Sequence, residues 1–318
     1  MIEVRGLTKR FGDTLAVDNL SFDVPPGVVT GFLGPNGAGK TTTMRIILGL
    51  DRPTAGTALV DGRTYAHAKS PMREVGALLD AKDVHGGRSA RTHLLAMAQS
   101  NGIPARRVDE VLELVGLQSV AKRRIKGFSL GMSQRLGIAG TMLGDPQVLL
   151  FDEPVNGLDP EGILWIRNFM KALAAEGRTV FVSSHLMSEM ALTADRLVVI
   201  GRGKLIADVS TAEFIAGGST NHVRARSPQQ DQLAALVRAK GIETSNVDGY
   251  LELRGVTCSE VGDLAAANAI TIHELFQEKA SLEEAFMELT RDSVEYSAPP
   301  GASASSGLTA TATSEVPQ

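Results

Sequence analysis

The stretch Gly34-Pro35-Asn36-Gly37-Ala38-Gly39-Lys40-Thr41-Thr42 constrains this chain more than any other segment. It carries the spacing GxxxxGK[ST] and stands between a β-rich run, VVTGFLG, and a helical pattern, MRIILGL. Glycines at these positions let successive backbone N–H groups turn inward, and the start of the following helix adds its positive end. A strand, such a loop and a helix in that order form a cradle for phosphate groups. Lys40 is placed to span the β- and γ-phosphates of a nucleotide, and the Thr41 hydroxyl to ligate Mg²⁺.

A phosphate cradle of this kind belongs to a parallel α/β sheet, and the surrounding pattern agrees. Runs at 28–34, 147–154, 179–185 and 196–206 read as strands with helical patterns between them. Positions 149–151, 180–182 and 197–200 are apolar without alternation, as expected of strands covered on both faces. The run Val148-Leu149-Leu150-Phe151-Asp152-Glu153 delivers two carboxylates to a strand's C-terminal end, where ligands bind in such sheets. Asp152 suits Mg²⁺ binding and Glu153 suits polarising an attacking water. Residues from about 86 to 140 are mostly helical, with a core stripe at Val108, Val111, Leu112 and Val115 and a stop at Gly116.

The order and spacing of further motifs resemble the ABC ATPase family from about residue 2 to 210. Phe11 stands where that family places an aromatic that stacks on adenine. Phe128-Ser129-Leu130-Gly131-Met132-Ser133-Gln134-Arg135 resembles its signature motif. Asn156-Gly157-Leu158-Asp159 matches its D-loop, and His185, closing TVFVSSH, its switch histidine. The resemblance implies a P-loop NTPase fold: a mainly parallel sheet, an N-terminal antiparallel β-subdomain and a helical subdomain. It implies ATP and Mg²⁺ as cofactors, with catalysis by Glu153, His185 and Lys40. It also implies a head-to-tail homodimer in which Ser129 and Gly131 of one copy complete the γ-phosphate site of the other. A separate transmembrane permease would receive the work, placing the chain in the cytoplasm at the inner face of the plasma membrane.

Two departures stand out. Asp80, ending Val75-Gly76-Ala77-Leu78-Leu79-Asp80, occupies the place of the family's usual glutamine that contacts Mg²⁺ and the transmembrane partner. The signature is loose at Phe128, Leu130 and Met132, but keeps Ser129 and Gly131. Together with the ending SLEEAFMELT, these resemble the ATPases of bacterial drug and antibiotic exporters of the daunorubicin- and bacitracin-resistance type.

The ATPase unit is expected over 1–215 and a small α+β unit over 216–296, beginning after Gly217-Gly218. Its last helix opens with a Ser281/Glu284 capping box and carries Leu282, Phe286 and Leu289 on one face. The Ala/Ser/Thr/Pro-rich stretch 297–318 is expected to be disordered. A formal net charge of −4 gives no global reason to expect nucleic acid as a partner. The single cysteine, Cys258, excludes an intrachain disulfide and reads as a buried apolar side chain, and no apolar run is long enough to span a bilayer. Two other readings stay open: a regulatory clamp that binds ATP without hydrolysing it, and a soluble ATPase of the same superfamily acting on DNA or ribosomes.

Overall fold

The computed structural model describes residues 1–80, 84–218, 222–278 and Phe286. The chain opens with β1 (Ile2–Phe11), which turns at Gly12 into β2 (Thr14–Val24). Then come β3 (Val29–Leu33), α1 (Lys40–Ile47), β4 (Ala55–Val60), the short α2 (Pro71–Glu74) and β5 (Val75–Leu78). A helical stretch follows: α3 (Ala90–Ser100), α4 (Arg106–Leu114) and α5 (Leu130–Thr141). The sheet resumes with β6 (Val148–Asp152), α6 (Pro160–Ala175), β7 (Thr179–Ser184), α7 (Met187–Thr193), β8 (Arg196–Gly201), β9 (Lys204–Ser210) and α8 (Thr211–Gly218).

The main sheet runs β5-β6-β7-β3-β8-β9, parallel throughout except for the last pair. A second, antiparallel sheet, β2-β1-β4, lies over one face of it. Strand alternation divides the core in two. Leu33, Phe151, Val182 and Val199 pack towards the helices α3 to α7. Phe32, Leu150, Phe181 and Val198 pack towards α1 and the antiparallel sheet, where the rings of Phe22, Phe32 and Phe181 lie 5.0–5.7 Å apart. A strand that buries both faces has no polar side to show, which is why β3, β6 and β7 read as unbroken apolar runs. The stripe Val108, Val111, Leu112 and Val115 is fully buried, and Gly116 ends that helix at φ 71°.

The turn from α5 into β6 is pressed directly on α2. A Cβ built on Gly144 would lie 1.8 Å from the carbonyl oxygen of Met72. Gly144→Ala is expected to lower stability by about 1–3 kcal/mol, as over-packing against backbone does, and a urea titration would read it.

The stretch 196–206 is not one strand. Arg202 (φ 48°) and Gly203 (φ 78°) make a two-residue turn, and β8 and β9 form a hairpin. Two successive left-handed residues are what a tight hairpin needs to match strand twist.

Beyond α8, which continues through Gly217 and Gly218, a smaller sheet begins. It comprises β10 (His222–Arg226), α9 (Gln230–Arg238), β11 (Thr244–Val247), β12 (Tyr250–Arg254), α10 (Cys258–Ala267) and β13 (Glu274–Glu278). The order β11-β12-β10-β13, antiparallel throughout with two crossover helices, is a ferredoxin-like β-α-β-β-α-β arrangement. Val223, Ala225, Leu251 and Leu253 bury one face against α9 and α10. On the other face Arg224 meets Glu252 at 2.7 Å and Tyr250 donates to Glu274 at 2.7 Å. Cys258 is half-buried rather than buried, because it opens α10 inside the capping box formed by Thr257 and Glu260. Phe286 is helical and returns to the core of the first unit, the same apolar cluster that holds Phe214 of α8. Ser281, Leu282, Glu284, Leu289 and the stretch 297–318 lie outside the described residues.

Candidate functional site

The glycine-rich loop leaves β3 at the middle of the sheet and enters α1 at Lys40. Two of its glycines have no room for a side chain. A Cβ on Gly34 would meet the carbonyl oxygen of Ile200 at 2.6 Å, and one on Gly39, at φ 101°, that of Ala16 at 2.5 Å. The β8–β9 turn braces the same loop, since Gly203 N–H donates to the Ala38 carbonyl at 3.1 Å. The result is a cavity of about 240 Å³ lined by Ala16, Asn36–Thr42, Asp152 and Glu153.

Lys40 is buried, and its Nζ donates to the carbonyls of Gly34 at 2.7 Å and Pro35 at 3.3 Å. Glu153 Oε1 lies 3.9 Å away. Burial holds the ammonium pKa below its usual value, against the opposing pull of Glu153 and Asp152. A phosphate entering the cradle supplies the full negative charge that the two carbonyls do not.

β6 ends on Asp152, whose Oδ2 accepts from the Thr41 hydroxyl at 2.7 Å and whose Oδ1 accepts from Ser183. Glu153 has a φ of 51°, a left-handed conformation unusual for a side-chain-bearing residue. That turn sends its carboxylate away from Asp152 and into contact with His185 Nδ1 at 2.8 Å. Adjacent acids therefore point to different tasks: one towards the Thr41 hydroxyl, the other to the mouth of the cradle beside Lys40 and His185. A left-handed backbone at a carboxylate beside the cradle is a functional signal in its own right.

The remaining motif residues stand elsewhere. Phe11 ends β1, half exposed, with Lys9 Nζ 4.7 Å above its ring, and does not line the cavity. Ser129 caps α5, accepting from Met132 N–H at 3.2 Å, with Gly131 in that helix's first turn. Asp159 caps α6 by accepting from Gly162 N–H at 2.9 Å. These two helix starts touch: a Cβ on Gly157 would strike Leu130 Cδ2 at 1.9 Å. Asp80 lines a different and larger cavity of about 410 Å³, between β5 and the helices α3 and α5, shared with Tyr65, Leu136 and His93. Burial, with Arg88 nearby, keeps His93 below its ordinary pKa and so neutral at pH 7.

Two residues to which the sequence assigns no role of their own take part. Ser183 joins the two acids, and buried Gln134 of α5 donates to the carbonyls of Pro154 at 2.9 Å and Glu153 at 3.4 Å. Ser183 left one trace in the sequence, as the first of two serines ending an apolar strand; Gln134 left none outside its motif.

Comparison with known proteins agrees with this geometry. A family model described as ABC transporter matches residues 17–156, and one described as a domain of unknown function (DUF8746) matches 221–283. The chain is 37% identical over 306 residues to the uncharacterized ABC transporter ATP-binding protein YhcH of Bacillus subtilis, covering 93% of this chain and 97% of that one. It is 34% identical over 302 residues to the bacitracin transport ATP-binding protein BcrA of Enterococcus faecalis, covering 91% and 96%. Among solved structures, CbiO1 of Clostridium perfringens, part of the ABC transporter complex CbiONQ, superposes with a TM-score of 0.60 at 26% identity. That match covers 68% of this chain and 90% of CbiO1. A glycine-rich cradle between strand and helix, two differently aimed acids and relatives matched along almost their whole length lead to one assignment: the chain belongs to the ATP-binding, ATPase subunits of ABC transporters.

Proposed function

We propose that this chain powers export of a peptide or antibiotic, working as a head-to-tail homodimer beneath a separate transmembrane permease. The observation that carries the hydrolytic part is Glu153, set by its backbone turn at the mouth of the cradle between His185 and Lys40. ATP binds with its phosphates on the loop amides and Lys40. Glu153 accepts a proton from the attacking water, and His185 holds the carboxylate in register. Thr41 and Asp152 offer adjacent hard oxygens, which suit Mg²⁺ with phosphates and waters filling its remaining positions. Bound there, the ion would neutralise charge on the phosphates.

The start of α5 does not line its own chain's cradle, yet Leu130 there is 46% exposed. That supports a second copy as the target of Ser129 and Gly131, with Asp159 beside the same junction and Phe11 open to receive the adenine ring. The Asp80 cavity, apolar beneath and open at the sheet's edge, supports the permease contact. Among the described residues no helix is long and apolar enough to cross a membrane; in this proposal the chain meets the membrane through its permease, at the cytoplasmic face. Export of a peptide antibiotic rests on the relatives named for bacitracin and lantibiotic transport, the latter SrtF of Streptococcus pyogenes at 36% identity over 208 residues.

The test is turnover of purified protein, alone and with its permease, with size measured in ATP and Mg²⁺. Hydrolysis with an ATP-dependent doubling of mass is expected. A folded protein that binds ATP but never hydrolyses it, even with the permease, sinks the reading.

A further inference from the structure

Ser183 lies on β7 directly opposite Asp152 on β6 and is completely buried. Its hydroxyl works in both directions. The proton goes to Asp152 Oδ1, and the oxygen accepts the backbone N–H of Glu153 at 3.1 Å. The carbonyl of Ser183 accepts the same N–H at 3.3 Å. With Thr41 on the other oxygen of Asp152, that carboxylate has a hydroxyl on each side and one rotamer that satisfies both. Glu153 is the residue with the left-handed backbone, and such conformations persist only where the surroundings over-determine them. Two residues further along the same chain segment, His185 holds the Glu153 carboxylate. The end of β7 therefore fixes Glu153 at its amide and at its side chain, and fixes Asp152 at the same time.

We propose that Ser183 is a positioning residue for ATP hydrolysis, one hydroxyl setting the rotamer of the acid at the metal position and the backbone of the acid at the water position. It touches neither nucleotide nor water; it acts through Asp152 and Glu153. Hydrogen-bond partners behind a ligating carboxylate typically matter by about 10–100-fold in activity or metal affinity. With alanine a buried carboxylate oxygen of Asp152 loses its donor and the Glu153 N–H keeps only the longer bond to the Ser183 carbonyl, whereas threonine keeps the hydroxyl donor and acceptor. The inference rests on the reading of Asp152 and Glu153 given above.

The experiment compares Ser183→Ala and Ser183→Thr with the unaltered chain. It measures kcat and KM for ATP, thermal unfolding, and the Mg²⁺ concentration that half-saturates binding of a fluorescent methylanthraniloyl-ATP. Ser183→Ala is expected to lose roughly 10–100-fold in kcat with KM unchanged and to need more Mg²⁺ for binding, while Ser183→Thr restores both. Full kcat and an unchanged Mg²⁺ requirement in Ser183→Ala overturn the inference. Equal losses in the alanine and threonine variants, tracking their melting temperatures, overturn it too, since that is what a packing role alone produces. Glu153→Gln serves as control: if it keeps turnover, the role given to Glu153 falls and takes this inference with it. If it loses turnover while Ser183→Ala does not, only this inference falls.

Discussion

Glu153→Gln is expected to cut ATP turnover by about 10²–10⁴-fold while leaving nucleotide binding intact, because it removes a general base and nothing else of similar size. The amide is isosteric, and its oxygen or nitrogen still meets His185 Nδ1, now 2.8 Å from Glu153 Oε2. The loop amides and Lys40, proposed to hold the phosphates, are untouched. Binding without hydrolysis should leave ATP at the dimer interface, so the variant should run as a stable dimer in ATP and Mg²⁺ on a sizing column. A variant hydrolysing ATP at the unaltered rate would place the base elsewhere; among the described residues the other carboxylate lining the cradle is Asp152.

Lys40→Met separates stability from function in the opposite direction from most core substitutions. Burial outweighs the attraction of Glu153 and Asp152 and holds the Lys40 pKa down, so the charged form is disfavoured by the fold. For such a lowered amine, stability rises as pH climbs through the folded pKa and the proton leaves. It is weakest below that value, where the charge must be carried in both folded and unfolded states. A neutral side chain of similar length removes that penalty. The melting temperature of Lys40→Met should therefore stay level or rise at pH 7, whereas ATP affinity should fall by about 10–100-fold through loss of a charge-assisted bond worth roughly 1.5–3 kcal/mol. Calorimetry without nucleotide, paired with ATP titration, checks both signs.

The site was legible wherever chemistry forces a fixed spacing. Lys40, Thr41, Asp152 and Glu153 follow from one loop pattern and one acid-ended strand, and the structure places them around a single cavity. What the sequence hid depends on register between strands. Ser183 matters because β7 pairs with β6 so that it faces Asp152, and no local pattern encodes that pairing. The β8–β9 turn was hidden because Arg202-Gly203 carries only one glycine, with an arginine taking the other left-handed position. β11, Thr244–Val247, escaped because a short polar edge strand has neither alternation nor length. Ser129 and Asp159 have motif positions, but in a single chain they serve as helix caps, which is the ordinary use of those residue types. Asp80 carried a family position without its surroundings, and the structure sets it at the rim of the cavity beside β5.

The route of the chain through Phe214 and Phe286 changes what the smaller sheet can do. Both rings are seated in one core, on either side of β10 to β13 in sequence. The ferredoxin-like unit is thus a long excursion pinned at its exit and at its return, more like an insertion than a tail. A body hung from one tether swivels freely, whereas one held at two points resists rotation about any axis but the line joining them. A ligand that distorted the small sheet would pull on both anchors and so on the ATPase core itself. A single backbone cut between the anchors would leave both pieces still held, one through Phe214 and the other through Phe286.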